Sequence, residues 1–326
     1  MSGLKQKLTL LVENDLQDIE AALNQNLNPH VEMVRETAGH LIFSGGKRIR
    51  PLLNMLSARL CGYTDEFIKK FSTIIEFLHT ATLLHDDVVD NASIRRGKPV
   101  AHSIWGAPVT VLVGDFLLAR ALHIAAETEN PKIIKVIAEI TESMCQGEIM
   151  QLIKKGDIRL TEKEYMDVIQ RKTGYLIQGA CQTGAILAGA PIEVENKLSE
   201  YGYHIGIVFQ IADDLLDYTS NTKVLGKAIG ADLKEGKLTL PVIYTLEHAN
   251  AEDRAWMEKV ITDKNFTETE FEKLIQLMHD TGGIRYCRKV AENHIRQAKI
   301  IIQTFPSSKT TETLMMIADY TLNRNA

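Results

Sequence analysis

The sequence contains few cysteines, and no pattern pairs them. Four occur among the 326 residues, namely Cys61, Cys145, Cys181 and Cys287. There is no CxxC pair and no accompanying histidine pattern, on which disulfide-stabilised domains and thiolate zinc sites depend. The absence argues against both kinds of site and favours a reducing compartment. We therefore expect a cytoplasmic protein.

Signature motifs of several enzyme classes are also absent. The chain has no GxSxG, HExxH, GxGxxG or GxxxxGK[ST] segment. A serine hydrolase, a zinc protease, a dinucleotide-binding enzyme and a P-loop protein therefore have no support. The net charge of −5 gives no general attraction to nucleic acid, and we expect no nucleic-acid partner.

No segment is typical of a secretory leader or a membrane span. The first 17 residues carry acidic residues within their apolar run and are typical of an amphipathic helix. The most apolar long stretch, Ala107–Ala126, contains Asp115 and Arg120. A charge at the centre of a bilayer is costly, so we predict a buried core helix there.

Turn and strand signals are sparse, and helical spacing dominates. Apolar residues recur at intervals of three and four, whereas alternating runs bounded by Asn-Gly or Asp-Gly are missing, so we predict no strands. No repeat or low-complexity linker marks a domain boundary. The sequence predicts one all-α domain spanning residues 1–326, with a candidate mobile loop at Lys223–Lys237.

Two segments carry aspartates at positions i, i+1 and i+4 within apolar helical runs: Asp86, Asp87 and Asp90, then Asp213, Asp214 and Asp217. On a helix, residues four apart share a face. Carboxylates in apolar surroundings need compensating cations, and hard divalent ions prefer oxygen ligands that they share with substrate phosphates. One such triplet is also typical of a solvated helix edge. Two triplets with equal spacing favour metal binding.

Basic residues with the chemistry of phosphate binding accompany the triplets. They are Lys47, Arg48 and Arg50 after a Gly-Gly pair, Arg95, Arg96 and Lys98 after the first triplet, and Lys172, Lys227 and Lys237. Arginine forks match phosphate oxygens, and glycines let backbone N–H groups approach an anion. Lone basic residues are usually solvated, but Arg95 and Arg96 lie one turn beyond Asp90. His79 and His85 flank the first triplet, where a substrate contact and a core histidine remain alternatives.

Seven segments in a fixed order resemble the trans-isoprenyl diphosphate synthases. Between about Gly45 and Pro241 the chain reads GGKRIRP, LLHDDVVD, IRRGKP, VGDFLLARAL, KTG, FQIADDLLDY and GKAIGADLKEGKLTLP. The resemblance implies an all-α bundle in which two aspartate-rich helices face each other across a deep central cavity. It also implies three Mg²⁺ ions, for which Mn²⁺ can substitute, a homodimer, and head-to-tail coupling of isopentenyl diphosphate to an allylic diphosphate.

The resemblance also assigns roles to individual residues. Metal-side carboxylates would be Asp86, Asp87, Asp90, Asp213 and Asp217, with Asp214 in support. The allylic diphosphate would be held by Arg95, Lys172, Lys227 and Lys237. Isopentenyl diphosphate would be held by Lys47, Arg50, His79 and Arg96, while Thr173 and Gln210 would line the reacting end. The reaction ionises an allylic carbon and needs no side-chain nucleophile, which fits a chain without a nucleophile–base pair.

Residues just upstream of the first triplet suggest a long product. Ala81 and Thr82 stand where short-chain members typically carry a bulky aromatic, and Leu78 and Ile75 follow lower on the same face. Small residues there would leave the cavity open. We predict a product of about C30–C50, with octaprenyl as the best single value, because dense packing limits chain growth only where a large side chain stands.

We expect farnesyl diphosphate to be the primer and the product to be used for quinone side chains. We also expect peripheral membrane contact for the release of the product. Two other activities stay open: a geranylgeranyl or farnesyl diphosphate synthase, and the catalytic subunit of a heteromeric synthase. An inert partner subunit is disfavoured because the chain keeps both triplets.

Overall fold

A computed structural model describes residues 2–219, 230–263 and 266–323, and nearly all of its regular structure is helical. The all-α prediction is confirmed. The helices are α1 (Ser2–Asn26), α2 (Glu32–Ile42), α3 (Ile49–Leu60), α4 (Phe67–Val89), α5 (Ala101–Trp105), α6 (Ala107–Ala126), α7 (Pro131–Ile153), α8 (Glu162–Ile169), a π-helical segment (Gln170–Gly174), α9 (Tyr175–Leu187), α10 (Ile192–Thr219), α11 (Ala231–Lys234), α12 (Leu240–His248), α13 (Ala251–Thr262), α14 (Glu268–Asp280), α15 (Gly283–Gln303) and α16 (Lys309–Asn323).

A two-stranded hairpin corrects the prediction that strands are absent. Strands β1 (Ile94–Arg95) and β2 (Lys98–Pro99) pair antiparallel, with Arg95 opposite Lys98. Between them, Arg96 and Gly97 have φ angles of 52° and 74°. Two successive residues with positive φ are typical of a type I′ turn, which matches the twist of a tight hairpin. The prediction was wrong because Arg-Gly is not among the usual signals for this turn.

The chain divides into two compact units, and the first contains Met1–Thr141, Leu176–Gly202 and Ile301–Met316. Helix α4 forms its centre and packs against α1, α3 and α6. All residues from Phe71 to Leu78 are buried, so this part of α4 is covered around its circumference. Fully burying a leucine, isoleucine or phenylalanine contributes about 1.5–3 kcal/mol, so the apolar residues of this stretch stabilise the first unit substantially.

The second unit contains Glu142–Tyr175, Tyr203–Ile300 and Ile317–Ala326. Within it, α12 packs against α8 and α14. Both α8 and α14 begin with a capping box, in which a threonine and a glutamate three residues later satisfy each other's backbone N–H groups. The predicted loop at Lys223–Lys237 lies partly outside the described residues, and its described part forms a turn and α11. The single-domain prediction for residues 1–326 stays a prediction.

Helix α6 is apolar on two faces. Val113, Leu117 and Ala121 form a buried stripe on the helix, which packs against α4. On the opposite face Leu112 is 66% exposed and Leu122 is also exposed. In the described ranges this is the one helix whose length and hydropathy suit a membrane span, and 39% of its most apolar window is buried. The prediction of a buried core helix is therefore right for one face and wrong for the other.

Candidate active site

The first aspartate triplet ends helix α4. Asp90 is the C-cap residue, and its backbone N–H donates to the Asp86 carbonyl at 2.8 Å. Asp86 and Asp90 are both half-buried, whereas Asp87 is 1% exposed. Asp87 accepts from Arg95 Nε at 2.8 Å and lies 2.7 Å from Arg95 Nη2. The Asp87 carboxylate thus contacts the hairpin. The carboxylates of Asp86 and Asp90, four residues apart, share another face of the helix.

The hairpin joins the two basic segments of the first unit. Arg95 lies in β1 against Asp87, and Arg96 occupies the turn. The guanidinium of Arg96 donates to the carbonyl oxygen of Gly45. The Gly-Gly loop and the RRGK segment, which are separate in sequence, therefore form one basic cluster, defined here as Arg48, Arg50, Arg95 and Arg96.

His79 lies among these cations. The pKa of its imidazole is held well below 6.5, first by burial and then by the positive charges of Arg50, Arg96, Arg95 and Arg48. The imidazole is therefore neutral at neutral pH. Its surroundings favour the substrate-contact alternative over a core histidine, because a cluster of positive charges attracts anions. Lys47, in the same loop, is exposed.

The second triplet lies in the second unit, on α10. Asp213 is exposed, and Asp217 accepts from the backbone N–H of Asp232 at 3.3 Å. Asp214 is 3% exposed and accepts from Tyr165 Oη at 2.6 Å and Gln210 Nε2 at 2.7 Å. Burial, followed by the charge of Asp232, raises the pKa of Asp214 to about 8. Both carboxyl oxygens of Asp214 are thus engaged by protein donors, which fits its predicted supporting role.

A hydrogen-bonded chain extends from Asp214 to the predicted reacting end. Gln210 donates to Asp214 and accepts at Oε1 from the Thr173 hydroxyl, at 2.8 Å. The hydroxyl proton of Thr173 is therefore directed to Gln210. Its remaining acceptor capacity is an oxygen lone pair, the kind of group that stabilises positive charge.

Lys172 and Thr173 both lie in the π-helical segment. Lys172 Nζ pairs with Glu148 and donates to Gln151 Oε1 at 2.8 Å. A π-helical turn is uncommon and occurs frequently at functional sites. The segment is in close contact with glycines: a Cβ at Gly147 would lie 2.6 Å from Lys172 N, and one at Gly206 would lie 2.7 Å from Gly174 Cα. Only glycine permits these approaches.

A cavity of about 150 Å³ in the second unit brings predicted site residues together. Its walls include Lys172, Thr173, Gln210, Asp214 and Lys237. Lys237 pairs with Glu235 at 2.7 Å. Lys227 lies outside the described residues.

The predicted chain-length residues form a strip along α4. Ala81, Leu78 and Ile75 are all buried. Thr82 is half-buried and donates to the His79 carbonyl at 2.9 Å. Their role in product length stays a prediction.

The donor set of the triplets fits Mg²⁺. The side chains are carboxylates, the ligands that hard cations prefer. Within the described residues, no three acidic, histidine or cysteine side chains converge as a metal site. A divalent ion at either triplet therefore needs further oxygen ligands, and a diphosphate carries them.

Several contact residues of the site were missed in the sequence. Tyr165, Glu148 and Gln151 lie on segments without a motif, so no local signal identifies them. Glu76 had a signal: it is a single acidic residue in the apolar run of α4, and it is 5% exposed. A buried charge of this kind requires a partner.

Comparisons with known proteins agree with these observations. The Polyprenyl synthetase family model matches residues 31–278. The octaprenyl diphosphate synthase of Escherichia coli (strain K12) is 36% identical over 98% of this chain and 99% of its own. Component 2 of the heptaprenyl diphosphate synthase of Bacillus subtilis is 34% identical over 95% and 88%. A polyprenyl synthase from Caulobacter crescentus, complexed with calcium and isoprenyl diphosphate, superposes with a TM-score of 0.92, at 36% identity and 98% coverage of both chains.

Proposed function

The chain belongs to the polyprenyl synthetase family, and we propose on that premise that it uses Mg²⁺ to elongate an allylic diphosphate with isopentenyl diphosphate. The resemblance predicted from the motifs is confirmed, and the chain is a long-chain trans-prenyltransferase. The finer proposal names farnesyl diphosphate as primer and an all-trans octaprenyl diphosphate as product. The proposed destination of the product is a quinone side chain.

One observation supports the substrate assignment most strongly. The last turn of α4 and the hairpin after it bring carboxylates next to Arg95 and Arg96, and the Arg96–Gly45 contact adds the loop that carries Lys47. Carboxylates suit divalent cations, and arginine forks suit phosphate oxygens. A diphosphate with bound metal ions satisfies both sets at once.

The resemblance to the family divides the residues into roles. Lys47, Arg50, His79 and Arg96 would bind isopentenyl diphosphate, and Arg95, Lys172, Lys227 and Lys237 the allylic diphosphate. The metal side would be formed by Asp86, Asp87, Asp90, Asp213 and Asp217, with three ions and Mn²⁺ as an alternative. Thr173 and Gln210 would present oxygen atoms to the positive charge that forms when the allylic C–O bond breaks. When bound, Mg²⁺ would neutralise the negative charge of the departing diphosphate.

A second candidate is the catalytic component of a two-part enzyme. The specific observation is the similarity to component 2 of a heptaprenyl diphosphate synthase. Assaying the purified chain alone separates the candidates: elongation without any added protein supports the one-component enzyme, and activity that appears only with a second protein supports the other.

A homodimer in the cytoplasm, with peripheral membrane contact for product release, completes the proposal. The homodimer is supported by the apolar face of α6, where Leu112 and Leu122 are exposed. An apolar face of this kind is typical of a self-complementary interface, and a second copy of the chain is its proposed occupant. Light scattering tests it: Leu112→Glu should yield monomers, whereas Leu10→Glu, at a leucine of α1 that is 75% exposed, should not.

Metal dependence tests the proposed chemistry. Activity with isopentenyl and farnesyl diphosphates should vanish in EDTA and return with Mg²⁺ or Mn²⁺. Asp86→Asn should lower kcat by about three orders of magnitude, because stabilisation of the leaving charge is lost in the transition state. Glu139→Gln, which removes an exposed carboxylate of α7, is the matched control. Full activity in excess chelator would contradict the proposal.

A further inference from the structure

Arg48 is a buried cation at the end of the Gly-Gly loop, residues 44–48, directly before α3. Its side chain is 2% exposed, although the neighbouring Lys47 is exposed. Its φ angle is 49°, in the left-handed region that residues with a Cβ rarely adopt. A backbone strained in this way persists only where the surrounding contacts over-determine it.

Each nitrogen of the Arg48 guanidinium has a protein acceptor. Nε donates to Glu20 Oε1 on α1 at 2.7 Å, and Nη1 donates to Glu76 Oε1 on α4 at 2.6 Å. Nη2 donates to the carbonyl oxygen of Ile42, the last residue of α2, at 2.5 Å. Charge-assisted bonds of this kind are short and directional. One side chain therefore ties the loop to three helices.

The loop passes close to this guanidinium. A Cβ at Gly46 would lie 2.9 Å from Arg48 Nη1, so a larger residue there would have to displace the arginine. Arg96 holds the preceding residue through the Gly45 carbonyl. The backbone that carries Lys47 is thus fixed on both sides by arginines.

Glu76, the partner of Arg48, shares a stretch of α4 with His79. Residues three apart on a helix are surface neighbours, so the two side chains lie on one face. Arg48 is also among the charges that lower the pKa of His79, together with Arg50 and Arg96. The ion pair therefore adjoins the residues assigned to isopentenyl diphosphate.

We propose that the buried Arg48–Glu76 ion pair is a positioning device for the isopentenyl diphosphate subsite. It sets the conformation of the loop that carries Lys47 and leads into Arg50 at the start of α3. It does so without touching substrate, because the Arg48 side chain is 2% exposed and each of its nitrogens donates to a protein acceptor. The inference rests on the proposed function, which assigns Lys47, Arg50, His79 and Arg96 to that substrate.

The decisive variant removes both charges at once. Arg48→Met alone would leave Glu76 as an uncompensated buried charge and would reduce folding, whereas buried ion pairs replaced together by apolar residues are often tolerated. The double variant Arg48→Met/Glu76→Met should therefore fold, because the remaining partner of Arg48, Glu20, has a side chain that is 45% exposed to solvent. Its KM for isopentenyl diphosphate should rise about tenfold, and its KM for the allylic diphosphate and its kcat should change less than about threefold. Arg48→Lys, which keeps the charge, should recover part of the affinity.

Arg59→Met is the matched control. Arg59 lies on α3 and pairs with Asp15 on α1 through two hydrogen bonds of 2.6 and 3.0 Å, outside the loop. Its loss should lower the melting temperature and leave both KM values unchanged. An unchanged KM for isopentenyl diphosphate in the double variant, or an equal rise in both KM values, would overturn the positioning role.

Calorimetric titration of isopentenyl diphosphate without primer separates this inference from the proposed function. Binding by the unaltered chain, weakened about tenfold in the double variant, supports the inference. Equal binding by both proteins overturns the positioning role and leaves the proposed function intact. Failure of the unaltered chain to bind overturns both.

Discussion

Three polar side chains of the site are held in fixed directions by hydrogen bonds that connect them to Asp214. Tyr165 donates to Asp214, Gln210 donates to the same carboxyl group, and Thr173 donates to Gln210. Burial raises the pKa of Tyr165 well above 10, so its hydroxyl keeps its proton and remains a donor. The orientation of Thr173 thus depends on Tyr165, to which it is connected through Gln210 and Asp214.

Removing that donor should impair catalysis more than folding. We expect Tyr165→Phe to lower kcat about tenfold, because Gln210 and Thr173 lose their fixed direction, and to lower stability by about 1–2 kcal/mol. Tyr286→Phe is the control, since Tyr286 donates to Glu162 elsewhere in the same unit. Steady-state kinetics and urea unfolding measure both effects. An unchanged kcat would show that Thr173 is held without Tyr165.

Individual site residues were predictable where a motif carried them. The aspartate triplets, Lys172, Thr173 and Gln210 all stand in recognisable segments, and the structure brings the last three together around one cavity. Tyr165 and Glu148 were not predictable, because their contacts arise from packing between segments distant in sequence. Periodicity reports which face of a helix is buried, but it does not report which residues meet across helices.

Among the elements, the π-helical segment depends on the two glycines that approach it. Gly206→Ala should displace Gly174 and, with it, Thr173 and Lys172, because the added Cβ would lie 2.7 Å from a backbone atom. We expect a loss of kcat of about tenfold or more, since small displacements of positioning groups are costly to catalysis. Gly3→Ala on α1, where a Cβ meets nothing within 4 Å, is the control. Similar kcat values in both variants would contradict this dependence.

Helix α4 is the element in which product length would be set. Ala81 lies five residues before Asp86, or about 7.5 Å along the helix axis. An added ring at this buried position cannot be displaced easily in a dense interior, so Ala81→Phe should shift products to about C15–C20. The first condensation should survive. Thr82→Phe tests the neighbouring position, and Ile68→Phe, in the first turn of α4, is the control. Chromatography of the dephosphorylated products measures the effect. An unchanged ladder in both variants would mean that the prenyl product does not extend along this part of α4.

The hairpin after α4 shows where element prediction failed. Its strands have only two residues each, too short for an alternating pattern, and its turn is Arg-Gly. The basic residues of that segment were nevertheless recognisable, because a run of arginine and lysine is visible in a sequence whatever its backbone conformation. Their role in substrate binding stays a prediction.

At the scale of the whole molecule, a pair of histidines links stability to pH. His204 and His294 share a hydrogen bond between their Nδ1 atoms at 2.8 Å, with the ring of Tyr203 against both. Burial and then His204 lower the pKa of His294 from 6.5 to about 4, and burial lowers the pKa of His204. The unfolded chain therefore binds these protons at higher pH than the folded chain does. The stability that the pair contributes is present above pH 6.5 and is lost as the pH falls towards 4.

His294→Gln should flatten that dependence. Between pH 6.5 and 4, the unaltered chain should lose on the order of 1–2 kcal/mol more than the variant, after allowance for solvent screening. Urea midpoints measured across this range give the difference. His30→Gln, at an exposed histidine, is the control. Equal pH slopes in all three proteins would mean that the pair titrates normally.

The all-α class and the enzyme family were predictable for the whole chain because helical periodicity and seven ordered motifs extend over most of its length. The exposed apolar face of α6 was not predictable, because composition alone cannot distinguish a helix that is buried all round from one with a second, exposed apolar face. That face now supports the proposed second copy of the chain.

The product formed by the unaltered chain tests the central claim most directly. Purified protein should be supplied with Mg²⁺, labelled isopentenyl diphosphate and farnesyl diphosphate, and the dephosphorylated products separated by chromatography. The small side chains of Ala81 and Thr82 before Asp86 predict a ladder that ends at about C30–C50, centred near octaprenol, and that disappears in EDTA. A ladder that ends at about C15–C20 would contradict the long-chain assignment.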